Sequence, residues 1–130
     1  MNAYSSSQAP LVLVADDSRT IQAMVSSRLE RSGYDVLTCA NGADALRLAV
    51  ERLPALVILD VEMPELTGLE VAQALQANDA TRDIPIVLLT GRDDEASVEA
   101  GHAAGATEYI TKPFSPQSLE SCVERILGRR

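Results

Sequence analysis

Cysteine, histidine and positive charge are all scarce in this 130-residue chain. The only two cysteines, Cys39 and Cys122, are far apart, lack CxxC spacing and sit in apolar surroundings. They read as reduced structural thiols, which argues against a disulfide framework or a thiolate metal site. A formal net charge of −8 argues against direct nucleic-acid binding, which draws mainly on Lys and Arg at phosphates. The terminal Arg129 and Arg130 hardly change that. No apolar run approaches the roughly 18 residues of a membrane-spanning helix, and the opening MNAYSSSQAP has neither the basic start nor the apolar stretch of a secretory signal. A cytoplasmic protein that does not enter the membrane is expected. The single histidine, His102, lies in the small-residue segment GHAAGA and reads as a solvent-facing side chain.

The length is that of one domain, and 46% hydrophobic with 23% charged residues is the balance of an ordinary globular unit. Residues 1–9 are expected to form a loose tail and residues 10–130 the folded unit. Apolar runs of strand length alternate with segments of helical period. LVLVA (11–15), ALVIL (55–59) and IPIVLL (84–89) are continuous, as in parallel strands covered on both faces, while YDVLTCA (34–40) alternates like an edge and TEYIT (107–111) is a short fifth strand. Ile21, Met24, Val25 and Leu29 share one helical face behind the candidate N-cap Ser18, with Gly33 as a stop. Ala45, Leu46, Ala49, Val50 and Leu53 follow Asn41, ending before Pro54. Leu69, Ala72 and Leu75 mark a third helix. The last is the clearest, with Ser115 as N-cap, Pro116 at the first helical position and a stripe of Leu119, Cys122, Val123, Ile126 and Leu127. The fourth, from about Asp94 to Gly101, has Val98 as its only large aliphatic and is expected to be the most mobile.

Five strands and five helices in alternation predict a doubly wound α/β fold with a five-stranded parallel sheet in the order 2-1-3-4-5. Ligands in such sheets bind beyond the carboxyl ends of the strands, at the switch point between the first and third. The first strand ends at Asp16 and Asp17, the third at Asp60, the fourth at Thr90 and the fifth at Lys112. Two adjacent carboxylates repel each other and call for a compensating cation. Three at one rim suit a hard divalent ion, and Mg²⁺ commonly takes one or two carboxylates, several waters and a phosphate oxygen. A Thr hydroxyl and a Lys ammonium suit the oxygens of a phosphoryl group, and a carboxylate such as Asp60 can act as its nucleophilic acceptor. Taken singly these residues have plainer readings. Asp17 is as readily an N-cap, Thr90 a cap or turn residue, and Lys112 a solvated surface lysine. Their convergence on one rim favours the chemical reading.

The motifs DDS (16–18), LDVEMPELTG (59–68), LLTG (88–91) and YITKPF (109–114) stand in an order, and at spacings of thirty and twenty-two positions between Asp60, Thr90 and Lys112, that resemble the CheY-like receiver domain of two-component response regulators. The resemblance runs from about Leu11 to Leu127. It implies that Asp60 is the phosphoacceptor, that Asp16, Asp17, Asp60 and the backbone carbonyl of Glu62 bind Mg²⁺, and that Thr90 and Lys112 contact the phosphoryl oxygens. It further implies a cis Lys112–Pro113 bond, a loop shaped by Met63, Pro64 and Gly68, with Gly68 in a conformation closed to larger residues, and a switching aromatic at Tyr109 that turns inward once Thr90 is drawn to the phosphate.

The implied protein is a switch, not an enzyme acting on another substrate. It would receive its phosphoryl group from a histidine kinase or histidine phosphotransfer protein and signal to an effector or output domain through the surface of the fourth helix, fifth strand and fifth helix, a face also open to dimerisation. The chain reaches Arg130 without an output domain, as expected of a stand-alone regulator or of one domain of a larger one. Gly91 stands where the family more often has Ala, which removes a methyl beside the pocket. Glu62 and Arg92 have opposite charge and are expected to pair across its mouth, shielding the phosphorylated state from water. Three other readings fit less well. A receiver-like interaction module that no longer takes phosphate would not need every one of these side chains, and all are present. A Mg²⁺-dependent phosphohydrolase with an Asp nucleophile usually has a lid and a second Asp where this chain has Glu62. A flavin module, which fits least, needs a phosphate-cradling turn where this chain has acids.

Overall fold

The computed structural model describes residues 9–128. The expected tail, apart from Ala9, and the terminal Arg129 and Arg130 lie outside the described residues. Ten elements alternate along the chain: β1 (Leu11–Ala15), α1 (Arg19–Arg31), β2 (Asp35–Cys39), α2 (Gly42–Arg52), β3 (Leu56–Asp60), α3 (Gly68–Ala77), β4 (Ile86–Thr90), α4 (Glu95–Ala103), β5 (Glu108–Thr111) and α5 (Pro116–Leu127). All pairings are parallel and the order is β2-β1-β3-β4-β5, as the alternation predicts.

Because successive side chains on a strand point to opposite faces, one apolar run feeds two cores. Val12 and Val14 of β1, Leu56 and Ile58 of β3, and Val87 and Leu89 of β4 pack with Val25 and Leu29 of α1 and with Leu119, Cys122 and Val123 of α5. Their neighbours Leu13, Ala15, Val57, Leu59, Ile86 and Leu88 face the other way, against Ala45 and Ala49 of α2 and Val71, Ala72 and Leu75 of α3. Every residue of β3 and β4 is buried, which explains why those runs carry no polar alternation. Each fully buried Leu, Ile or Val contributes roughly 1.5–3 kcal/mol of transfer free energy.

Helix starts follow local chemistry. Ser18, Asn41, Asp94 and Ser115 each accept a backbone N–H three residues on, from Ile21, Asp44, Ser97 and Ser118. Thr67 and Glu70 form a reciprocal capping box at α3. Gly33, at φ 96°, follows the C-cap Ser32 of α1. The third and fourth strands begin one and two residues later than the apolar runs suggest, at Leu56 and Ile86. Ile84 and Pro85 precede the β4 ladder, and the Pro85 carbonyl accepts the Val57 N–H at 3.1 Å. Asp60 and Thr90 are the last residues of their strands.

Helix α4 has little to hold it. Gly101 is its only buried residue, and Val98 is half-buried. It runs two residues beyond Gly101, taking in His102 and Ala103, so the GHAAGA segment is partly helical. His102 is exposed, as expected. We predict that Val98→Ala costs less than about 1 kcal/mol in urea unfolding, whereas Leu119→Ala in α5 costs about 2–5 kcal/mol. In hydrogen exchange the α4 amides open well before those of α1 and α5. Equal protection across the three helices would contradict this reading.

Candidate functional site

The carboxyl ends of β1, β3, β4 and β5 bring together the residues singled out at the strand ends. One carboxylate oxygen from each of Asp16, Asp17 and Asp60 lies within 4.8 Å of the others. Asp16 and Asp60 are buried, at 0% and 2% exposure, while Asp17 is exposed. Lys112 reaches in from the residue after β5, with Nζ 3.1 Å from Asp16 Oδ2 and 3.3 Å from Asp60 Oδ1. Its backbone N–H donates to the Thr90 carbonyl at 2.6 Å, and the Lys112–Pro113 bond is cis. It is the only lysine in the sequence.

Each buried acid is part satisfied by backbone. Asp16 Oδ1 accepts the Ser18 N–H at 2.9 Å, and Asp60 Oδ1 accepts the Glu62 N–H at 3.2 Å. Among the described residues Asp16 Oδ2 accepts no hydrogen bond. Its compensation there is the ion pair with Lys112. A buried carboxylate oxygen left in this way, beside two further carboxylates, is the donor set a hard divalent cation takes. Burial, and then the charge of Asp16, push the Asp60 carboxyl up to about 6, against the opposing pull of Lys112 and the Glu62 N–H. Burial alone would lower the Lys112 ammonium, but the Asp16 and Asp60 carboxylates outweigh it and hold it above the ordinary lysine value.

The mouth of the site differs from expectation in two respects. Glu62 and Arg92 do not pair. Glu62 Oε2 instead accepts the Thr90 hydroxyl at 3.2 Å, and the Arg92 side chain turns to Asp94, Nε to Oδ1 at 3.9 Å. The reason is reach: Thr90 presents a buried donor that Glu62 can satisfy, whereas Arg92 is exposed on the loop leading to α4. Gly68 is also not in a left-handed conformation. What it supplies is space, because a Cβ there would collide with the backbone carbonyl of Asp60. At Gly91 a Cβ would meet no atom within 4 Å, so the missing methyl leaves the rim open without unpacking anything. Met63 is buried and Pro64 exposed in the loop after β3.

Tyr109 is half-buried on β5, and its hydroxyl donates to the Arg92 carbonyl at 2.8 Å. Its ring lies against α4 at Gly101, where a Cβ would come within 2.7 Å of the ring. Between these groups is a cavity of about 370 Å³ lined by Val61, Glu62, Leu69, Thr90, Arg92 and Tyr109 among others. The roles of Gln22, whose amide donates to the Asp16 carbonyl at 2.7 Å, and of Gly101 carry no signal in the sequence, since an amide on a helix and one glycine among small residues are unremarkable there. The cysteines are both free, and burial raises the Cys39 thiol to about 11, far from a reactive value.

Comparison with known proteins gives one consistent result. Residues 12–124 match the family model described as response regulator receiver domain. The chain is 42% identical over 118 residues to the alkaline phosphatase synthesis transcriptional regulatory protein PhoP of Bacillus subtilis, covering 91% of this chain and 48% of that protein. Among solved structures it is similar to the chemotaxis response regulator CheY4 of Vibrio cholerae, with a TM-score of 0.88, 37% identity, and 92% and 100% coverage of the two chains. It is also similar to the receiver domain of the sensor histidine kinase PA1611 of Pseudomonas aeruginosa, described with a magnesium ion coordinated in its active-site cleft, at a TM-score of 0.85, 27% identity, and 92% and 98% coverage. The chain spans about half the length of the curated relatives it matches.

The raised Asp60 carboxyl has a stability consequence in the metal-free protein. The folded chain keeps its proton to about pH 6, whereas in the unfolded chain the group ionises near the ordinary aspartate value of 3.8. The unfolded state therefore loses its proton first, and stability falls as pH rises between those values. Asp60→Asn, which cannot ionise, should match wild type near pH 3.5 to 4 and gain about 1–3 kcal/mol over it by pH 7. Denaturant unfolding across that range checks this, and a difference independent of pH would refute it.

Proposed function

The chain belongs to the response regulator receiver domain family, the phosphoacceptor domains of two-component signalling, and from that premise we propose that Asp60 is its phosphoacceptor. The observation that supports this most is the sharing of Lys112 between Asp16 and Asp60, at 3.1 and 3.3 Å. It holds Asp60 Oδ1 in place, and among the described residues no hydrogen bond reaches Oδ2, which leaves that oxygen for attack. With its carboxyl at about 6, Asp60 is mostly ionised at pH 7 and therefore nucleophilic.

The donor chemistry is a phosphohistidine on a histidine kinase or histidine phosphotransfer protein. An Asp60 oxygen attacks phosphorus, the P–N bond breaks, and the imidazole leaves with the electron pair and takes a proton from water. The product is an acyl phosphate. Mg²⁺, held by Asp16, Asp17, Asp60 and the Glu62 carbonyl, would offset the charge between these carboxylates and the incoming phosphoryl oxygens. Lys112 loses its direct contact with Asp60 Oδ1 only to gain a phosphoryl oxygen, and Thr90 donates its hydroxyl to another. The same groups support the domain's own phosphorylation from small donors and its later hydrolysis.

The added charge of roughly −1.5 to −2 acts on the lightly packed side of the site. Drawing Thr90 toward the phosphoryl group moves the end of β4. Tyr109 turns into the cavity beside it, and the face of α4, β5 and α5 changes for an effector, an output domain or a second copy. Residues 10–130 form the receiver unit in this reading. Among the described residues no helix is long and apolar enough to cross a membrane, and a cytoplasmic location is proposed with the kinase partnership.

Intact mass after incubation with Mg²⁺ and acetyl phosphate is the decisive measurement. Wild type should gain a single phosphoryl group, Asp60→Ala none, and Lys112→Ala at least about tenfold less at equal time, the loss of one charge-assisted contact being worth about 1.5–3 kcal/mol. Phosphoryl addition that persists in Asp60→Ala would overturn the assignment.

A further inference from the structure

The hydroxyl that a phosphoryl group would require is already in use. Thr90 has one hydroxyl proton to give, and it gives it to Glu62 Oε2 at 3.2 Å. Its oxygen in turn accepts the Arg92 N–H at 3.2 Å, and the carbonyl of the same Arg92 accepts the Tyr109 hydroxyl at 2.8 Å. The bonds form one chain, Glu62 to Thr90 to Arg92 to Tyr109, tying the loop after β3, the end of β4, the loop before α4 and the middle of β5. Beyond the phosphoacceptor role, and resting on it, we infer that Glu62 is a positioning residue that latches the unphosphorylated arrangement by holding the Thr90 proton.

Three features make this a latch instead of an incidental surface bond. Thr90 is fully buried, so its hydroxyl must find an acceptor within the protein, and Glu62 is the one it has. Glu62 itself is exposed, so its carboxylate can return to water when Thr90 lets go, at little desolvation cost. The cavity of about 370 Å³ bounded by Glu62, Thr90, Arg92 and Tyr109 gives the released groups somewhere to go. Thr90 cannot donate to Glu62 and to an oxygen on Asp60 at once. The two acceptors therefore compete, and the switch equilibrium depends on the difference between them. A hydrogen bond of this kind has a modest net worth, which corresponds to a shift of about 2- to 10-fold.

Beryllofluoride with Mg²⁺ serves as the phosphoryl mimic, titrated into the full chain and followed by the NMR signals of the Arg92 amide and the Tyr109 ring. Glu62→Ala should bind it about 2- to 10-fold more tightly. Before any mimic is added, those two signals should already lie part-way toward their bound positions. Glu62→Gln, which keeps an acceptor oxygen without the charge, should leave the unligated signals where wild type has them. In a Thr90→Val background the gain from Glu62→Ala should vanish, with Thr90→Ala taking its place if the valine variant does not fold. A gain of the same size without the Thr90 hydroxyl would overturn the latch and assign the effect to repulsion between Glu62 and an anion. Unchanged affinity with unmoved signals would overturn it as well. If the wild type binds no mimic at all, the phosphoacceptor reading has failed, and the unligated Arg92 and Tyr109 signals still decide whether Glu62 holds Thr90.

Discussion

Two buried carboxylates facing one ammonium set the terms for this domain. Asp16 and Asp60 are almost inaccessible, and Lys112 is their shared counter-charge. Burying like charges together is costly, and the pocket tolerates it only while the ammonium stays between them. Lys112 stays because its own N–H is fixed to the Thr90 carbonyl and because the chain leaves β5 directly into the site. With Asp17 at the rim, three acids oppose one lysine. The residual charge of about −2 is of the size that one divalent cation offsets. The all-parallel sheet puts every strand's carboxyl end on one edge, and the β2-β1-β3-β4-β5 order seats β1, β3, β4 and β5 side by side there.

Much of this was legible in the sequence because it rests on local rules. Continuous apolar runs for buried strands, capping residues at helix starts and the position of acids at strand ends are short-range features. The fold class, the strand order and the gathering of Asp16, Asp17, Asp60 and Lys112 follow from them together with the handedness of crossovers. The misses concern long-range side-chain choices. Opposite charge suggested a Glu62–Arg92 pair, but a buried hydroxyl without an acceptor outcompetes an exposed cation. Water satisfies an arginine at the surface and cannot reach Thr90. Gly68 suggested a backbone conformation, and its actual function is to let the Asp60 carbonyl approach. Neither outcome can be read without knowing what lies opposite.

Stability is unevenly distributed about the sheet. On one face α1 and α5 are joined through Val25, Leu29, Leu119 and Val123 and by the Arg28–Glu120 ion pair at 2.7 Å. On the other, α2 and α3 pack through alanines and leucines, while α4 offers Gly101 and its C-cap Ala104. A glycine there permits the Tyr109 ring to lie on the helix backbone, at the cost of roughly 0.5–1 kcal/mol of helix stability relative to alanine. The helix with the least buried surface therefore lies directly against the Tyr109 ring.

The two sides of the pocket also differ in how they can respond. The loop after β3 is pinned: Gly68 abuts the Asp60 carbonyl and donates to the Val61 carbonyl at 3.0 Å, Gly42 of α2 abuts Leu66, and Thr67 with Glu70 closes the start of α3. Movement there would break packing in several places at once. The loop after β4 has empty space around Gly91 and exposed residues from Arg92 to Ala96, and few apolar contacts are lost if it shifts. If Asp60 is the phosphoacceptor as proposed, a charge added there would displace the side with the smaller restoring force. That side carries Thr90, Tyr109 and α4. The two loops therefore differ in restoring force, and Glu62, carried by the tightly packed loop and bonded to Thr90 at the end of β4, sits at the junction between them.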